Sequence, residues 1–109
     1  MQQNEYIIVM CTVPNEEVGK RIATVLLEKK LVPCVNMVPN VRSIYTWKGK
    51  INDEAELIVI MKTRATLFER IKDEIKANHP YECPEILALP IVAGNQPYLD
   101  WIAENTSPE

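Results

Sequence analysis

The amino-acid sequence predicts an α+β domain whose strands and helices follow the order β-α-β-β-α-β, with a short C-terminal helix. Apolar runs rich in β-branched residues alternate with segments in which apolar residues recur at helical spacing. The pair Lys48-Gly49 separates two long extended runs, which is typical of a hairpin. This order indicates the ferredoxin-like sandwich, in which right-handed crossovers give strand order 4-1-3-2 and place both helices on one face of the sheet.

The first two elements are a buried strand and an amphipathic helix. YIIVMCTV, from Tyr6 to Val13, is a nearly continuous apolar run, as expected for a strand covered on both faces. Asn15 is placed to cap the helix that follows, with two glutamates in its first turn. The apolar residues of this helix keep helical spacing, and lysines follow them: Val18, Ile22, Val25, Leu26 and Leu27, then Lys29 and Lys30.

Two long strands come next, joined by a tight turn. CVNMV (34–38) is extended, Pro39-Asn40 interrupts it, and VRSIYTW (41–47) resumes the strand. Gly49 supplies a positive φ at the turn, and the chain returns through residues 51–55 and then through ELIVIMK (56–62). A hairpin of this length outruns the core of a small domain. We therefore expect exposed aromatic residues on its arm, at Tyr45 and Trp47, which mark an oligomer interface more often than a ligand stack.

The last elements are a helix, an edge strand and a short helix. The second helix is expected from about Arg64 to Asn78, because Pro80 disfavours helical geometry at the residue before it. ILALPIV (86–92) forms a strand whose prolines cannot donate ladder hydrogen bonds, which favours an edge position. Asn95 is a candidate cap for the short helix that follows.

Composition limits the classes of function. The 109 residues, 47% of them hydrophobic, fit a single domain spanning 1–109 that can fold without disulfides or a structural metal. The net charge of -3 and the scattered Lys and Arg residues argue against nucleic acid as a partner. Three cysteines without CxxC spacing indicate reduced thiols. With no apolar run of signal-peptide or membrane-span length, we expect a cytoplasmic protein with no membrane partner.

The predicted topology brings two possible metal ligands together. Cys11 lies near the end of the first strand, and His79 lies just before the last strand, which runs antiparallel beside the first. Each has another interpretation, since a cysteine in an apolar run commonly fills the core and a histidine at a helix end can act as a C-cap. A closed zinc site needs four ligands, whereas copper binds with few nitrogen and sulfur donors. Copper therefore stays possible. Other nearby candidates are Glu82, Cys83 and Glu85.

The chain also resembles a known family. VMCTVPNEEVGKRIATVLLEKKLVPCVNMVPNVRSIYTWKGK, ELIVIMKTR and HPYECPEILALPI are similar to the CutA divalent-cation-tolerance proteins, over about residues 6–102. The resemblance implies a ferredoxin-like homotrimer in which copper is bound by a cysteine late in the first strand and two histidines before PY. Cys11 and His79 match two of these positions, while the remaining position holds Asn78.

Two functions follow from this resemblance. The first is a homotrimeric protein of divalent-cation tolerance and copper homeostasis, whose partners are further copies of itself and a metal ion. The second is a signalling or adaptor trimer that binds a small ligand or a partner at intersubunit clefts, similar to the nitrogen-regulatory signalling trimers. An enzyme is not expected, because a nucleophile and base formed by Cys11 and His79 would lack an orienting third residue.

Overall fold

The computed structural model describes residues 5–108 and contains one four-stranded antiparallel sheet of order β2-β3-β1-β4. The elements are β1 (Tyr6–Val13), α1 (Glu16–Glu28), β2 (Val35–Trp47), β3 (Lys50–Arg64), α2 (Phe68–Asn78), β4 (Ile86–Pro90) and α3 (Gln96–Glu104). The predicted ferredoxin-like order is confirmed. Within residues 5–108, no helix is long and apolar enough to cross a membrane.

The core lies between the sheet and the two longer helices. Alternate residues of β1 are buried, and Val9, Cys11 and Val13 have no exposed surface. They form one cluster with α1 and α2, through residues such as Ile22 and Ile71. Each buried aliphatic side chain of this size contributes about 1.5–3 kcal/mol. Cys11 is therefore part of the hydrophobic core, near the C-terminal end of the interior strand β1.

Local sequence signals set the ends of the helices. The Oδ1 atom of Asn15 accepts a hydrogen bond from the Val18 amide at 2.9 Å, which confirms the predicted N-cap of α1. α2 ends at Asn78, and His79 is extended, as a residue before proline should be. The predicted start of α2 was wrong. Arg64 is still paired with β1, so a 3-10 turn separates β3 from the helix.

The long hairpin is continuous where the sequence predicted interruptions. Lys48 and Gly49 have φ values of 52° and 79°, which is the geometry of a two-residue type I′ turn. Pro39-Asn40 does not break β2. The register shifts between Val38 and Val41, and Asn40 takes a positive φ of 61°, so the extra backbone is absorbed in a bulge. β3 is likewise a single strand.

The last strand and the last helix differ slightly from expectation. β4 ends at Pro90 and not at residue 92, although the Ile91 amide still donates to the Tyr6 carbonyl oxygen at the start of β1. Asn95 occupies the N-cap position of α3, but its side chain makes no capping hydrogen bond.

The sheet face opposite α1 and α2 remains largely apolar. Met10 pairs with Leu87 on one side and with Ile60 on the other, and Ile8 pairs with Leu89. Side chains alternate across a strand, so these residues lie on the face away from the buried core residues. Leu87 and Leu89 are 55% and 43% exposed. We call this surface the outer face.

Candidate functional site

Cys11 and His79 meet at one backbone atom. The Cys11 thiol donates to the Thr12 carbonyl oxygen at 3.5 Å, and His79 Nε2 lies 2.8 Å from the same oxygen. The antiparallel pairing of β1 with β4 produces this convergence, since Cys11 pairs with Ile86 and His79 precedes that strand. The topology therefore brings together the two residues that the sequence predicted to be neighbours.

Hydrogen bonds hold the His79 ring in one tautomer. The Tyr81 amide donates to Nδ1 at 3.2 Å, so Nδ1 carries the lone pair and Nε2 carries the proton that it donates to Thr12. The ring is only 9% exposed. In this arrangement the neutral imidazole uses both its donor and its acceptor within the protein, so a metal ion would have to displace one of these two bonds.

The Cys11 thiol is kept protonated by its surroundings. Burial, together with the negative charges of Glu85 and Glu56, raises the pKa of Cys11 to about 12. The thiolate is the form that binds metals. A metal ion at Cys11 must therefore displace a proton from a buried sulfur atom.

The other candidate metal ligands near Cys11 and His79 make contacts elsewhere or face solvent. The Asn78 side-chain amide donates to the Glu74 carbonyl oxygen at 2.8 Å and so belongs to the end of α2. Glu82 lies 3.6 Å from the Lys48 ammonium, and Cys83 is exposed. Within residues 5–108, no three His, Cys, Asp or Glu side chains are grouped so as to hold a metal ion. Among the described residues, Cys11 and His79 thus form a pair of candidate metal ligands with no third ligand grouped beside them.

A larger feature adjoins this pair. A cleft of about 570 Å³ opens between the hairpin arm and the loop before β4. Thr12 lies in its wall, so the backbone that joins Cys11 to His79 also borders the cleft. Its lining mixes aromatic rings and carboxylates, including Tyr45, Trp47, Glu56, Tyr81, Glu82 and Glu85.

Glu56 is the most deeply placed acid of this cleft. Its side chain is 6% exposed, and its Oε2 atom accepts a hydrogen bond of 2.6 Å from the Tyr81 hydroxyl. Burial and this bond to Glu56 raise the pKa of Tyr81. Glu56 was not among the site residues predicted from the sequence. The sequence feature that could have indicated it is a single acidic residue at the start of the aliphatic run ELIVIMK, on the strand that returns from the aromatic arm.

The fold and this site define a class of protein. A β2-β3-β1-β4 sheet with both longer helices packed against one core is a ferredoxin-like domain, here with a long hairpin and a thiol–imidazole pair at the C-terminal end of β1. Residues 7–105 match the family described as CutA1 divalent ion tolerance protein. The chain belongs to this family.

Individual relatives support the same assignment. The divalent-cation tolerance protein CutA of Thermus thermophilus is 50% identical over 99 residues, which cover 91% of this chain and 96% of the relative. A rice protein named CutA 1, chloroplastic, is 47% identical over 100 residues, or 92% of this chain and 56% of the rice protein. The chain thus spans little more than half of that relative. The crystal structure of rice CutA1 has a TM-score of 0.93 at 45% identity and covers 96% of both chains.

Proposed function

We propose that residues 1–109 act as one domain of a homotrimeric, non-catalytic protein of divalent-cation tolerance and copper homeostasis in the cytoplasm. Copper, or a related divalent cation, binds through Cys11 and His79. The observation that carries this proposal is the shared contact of both side chains with the Thr12 carbonyl oxygen. Membership of the divalent ion tolerance family supports the same role.

The donor set suits copper better than hard cations. A thiolate and an imidazole are the soft and borderline ligands that copper prefers, whereas magnesium and calcium prefer oxygen. The ion would replace the proton of the Cys11 thiol and bind one ring nitrogen of His79, while the other ring nitrogen keeps the single proton of the neutral imidazole. Since Cys11 has no exposed surface, binding also requires local opening of this end of the sheet. We therefore expect weaker binding than at a preformed site with three or more ligands.

Surface chemistry supports the trimer. The outer face exposes Leu87 and Leu89, and the hairpin arm exposes Tyr45 and Trp47. Apolar surface of this kind usually marks an interface. Strands β2 and β4 also form the two open edges of the sheet, where backbone groups are free to pair with another chain. Packing of further copies against the outer face and along the strand edges would cover this apolar surface and pair the open edges, with the cleft beside the arm left at the boundary between copies.

Copper titration tests the metal proposal. The reduced protein is titrated with Cu(I) and with Cu(II), and the wild type is compared with Cys11→Ser and His79→Ala. Cys83→Ser is the matched control, because it removes an exposed thiol that lies outside the pair. We expect stoichiometric binding by the wild type and the control, and a loss of about tenfold or more in the other two variants. Equally weak, non-stoichiometric binding by all four proteins would refute the metal role.

The assembly is tested separately by light scattering coupled to size-exclusion chromatography. A homotrimer should persist at micromolar protomer concentration. A stable monomer under those conditions would contradict the proposed assembly without bearing on copper binding.

The cleft favours a second candidate function. Its volume of about 570 Å³ falls within the range of about 300–1,000 Å³ that is usual for small-molecule sites. Aromatic rings and one buried polar residue, Glu56, line it together with more exposed polar groups, and ligand sites commonly combine aromatic walls with a few polar groups. A trimer that binds a small ligand here would act as a signalling or adaptor protein. Binding of any small molecule to the metal-free protein, abolished by substitutions in the cleft, tests this function.

A further inference from the structure

We propose that the cleft binds a small organic cation, whose ammonium or guanidinium group is held between Glu56 and Glu85. This proposal rests on the second candidate function, because it assigns a chemical class to the ligand of the same cleft. It concerns a position apart from the thiol–imidazole pair and requires no metal ion.

The charges that line the cleft are unbalanced. Arg42 is already engaged by Asp53, through contacts of 2.9 Å from Nε and 2.6 Å from Nη2. Glu82 is matched by Lys48. Among residues 5–108, no Lys, Arg or His forms an ion pair with the two remaining carboxylates of the cleft, those of Glu56 and Glu85. Within the described chain, these two carboxylates therefore have no cationic partner, and a bound cation could pair with them.

Glu56 has one oxygen atom available for such a partner. The Tyr81 hydroxyl occupies Oε2, while no donor within the described chain forms a hydrogen bond with Oε1. The residue as a whole is 6% exposed, and the free Oε1 atom is not fully buried and borders the cleft. A buried carboxylate is costly unless it is paired, and a cation within the cleft would supply the missing charge.

At the edge of the cleft, Lys48 shows how an ammonium group can be held by an aromatic ring and a carboxylate. The Lys48 ammonium lies 5.7 Å from the centre of the Trp47 ring and 3.6 Å from Glu82. Both Trp47 and Glu82 line the cleft, so an aromatic face and a carboxylate already hold one ammonium group there. Deeper in the cleft, a second carboxylate and aromatic residue lie together without a lysine, because the Tyr81 hydroxyl donates to Glu56.

An organic cation fits this cleft better than an inorganic ion or an anion. A cleft of about 570 Å³ is far larger than a bare ion, and the described part of the chain offers no group of three metal-binding side chains. The walls also include apolar surface from Ile44 and Trp47, which suits a carbon skeleton. Among residues 5–108, Arg42 is the one Lys, Arg or His that lines the cleft, and its guanidinium is already paired with Asp53, which disfavours an anion.

Isothermal titration calorimetry with a matched set of probes tests the proposal. The probes are 2-phenylethylammonium, 2-phenylethylguanidinium, neutral 2-phenylethanol and anionic 3-phenylpropanoate, all in metal-free buffer with a chelator. The variants are Glu56→Gln and Glu85→Gln, and Glu104→Gln on exposed α3 removes the same charge outside the cleft. We expect only the cations to bind, and either cleft variant to weaken binding about tenfold or more while the control does not.

The outcomes separate the proposals. If the alcohol or the carboxylate binds as well as the cations, the small-ligand function stands and the assignment of an organic cation is overturned. If no probe binds, the assignment of an organic cation is overturned, and the small-ligand function is judged by its own binding test. If both cleft variants bind the cations as tightly as the control, the site lies elsewhere and this proposal is overturned. If Glu56→Gln fails to fold, Glu85→Gln still tests the proposal, because Glu85 is exposed and its substitution should not disturb the fold. The chelator makes every outcome independent of copper binding.

Discussion

Replacing His79 with alanine should destabilise the protein even when no metal is present. The ring joins the end of β1 to the loop before β4, since Nε2 donates to Thr12 and Nδ1 accepts from the Tyr81 amide. His79→Ala removes both bonds together with a ring that is 9% exposed. The substitution therefore probes a structural role that is separate from the proposed ligation of copper.

The expected cost follows from the groups left behind. A buried donor or acceptor without its partner costs about 1–3 kcal/mol, so the two bonds together give roughly 2–6 kcal/mol. The Thr12 carbonyl oxygen keeps a weak contact with the Cys11 thiol, which favours the lower half of this range. Asn78→Ala is the matched control, because its amide bonds only to the helix end, and we expect less than about 0.5 kcal/mol.

Urea unfolding followed by circular dichroism measures both effects. The experiment uses a chelator and one fixed protomer concentration, because the apparent stability of an oligomer depends on concentration. The midpoint should fall for His79→Ala with an unchanged slope, which indicates a change in stability alone. A loss no greater than that of Asn78→Ala would refute the bridging role of the ring.

Three further predictions concern separate parts of the molecule. Tyr81→Phe leaves the buried Glu56 carboxylate without its 2.6 Å partner and should cost about 1–3 kcal/mol in urea unfolding; an unchanged midpoint would contradict this. Gly49→Ala places a side chain at a φ of 79° and should cost about 1 kcal/mol in the same assay, and equal stability would argue against the type I′ turn. In native protein, iodoacetamide at pH 8 should modify exposed Cys83 and spare Cys11, since burial raises the pKa of Cys11 to about 12; mass spectrometry of peptides would reveal the opposite order.

The strands and helices were largely predictable because their signals are local. The bounds of β1 were predicted to the residue, and the Asn15 cap and the Lys48-Gly49 turn were also correct. Each depends on a few adjacent side chains or on one backbone angle. The errors arose where pairing with another strand overrode such signals, as at the bulge after Val38 and at the extension of β3 to Arg64.

The proximity of Cys11 and His79 was predictable once the strand order was known. The sequence could not show that both residues would be engaged in the folded chain, one buried in the core and the other bonded through both ring nitrogens. Those facts depend on how closely β1, β4 and the intervening loop approach one another. They determine what a metal ion must displace.

By itself, then, the sequence determined the order of the elements and the exposure of the hairpin arm. It also determined that Cys11 and His79 meet at the C-terminal end of β1. Hydrophobic periodicity, turn residues and chain connectivity suffice for these features. Only the tertiary structure revealed the cleft and the burial of Glu56 beneath the Tyr81 hydroxyl. These two residues are 25 positions apart in the chain, so no local pattern relates them, and their contact arises only when the hairpin and the loop before β4 pack together.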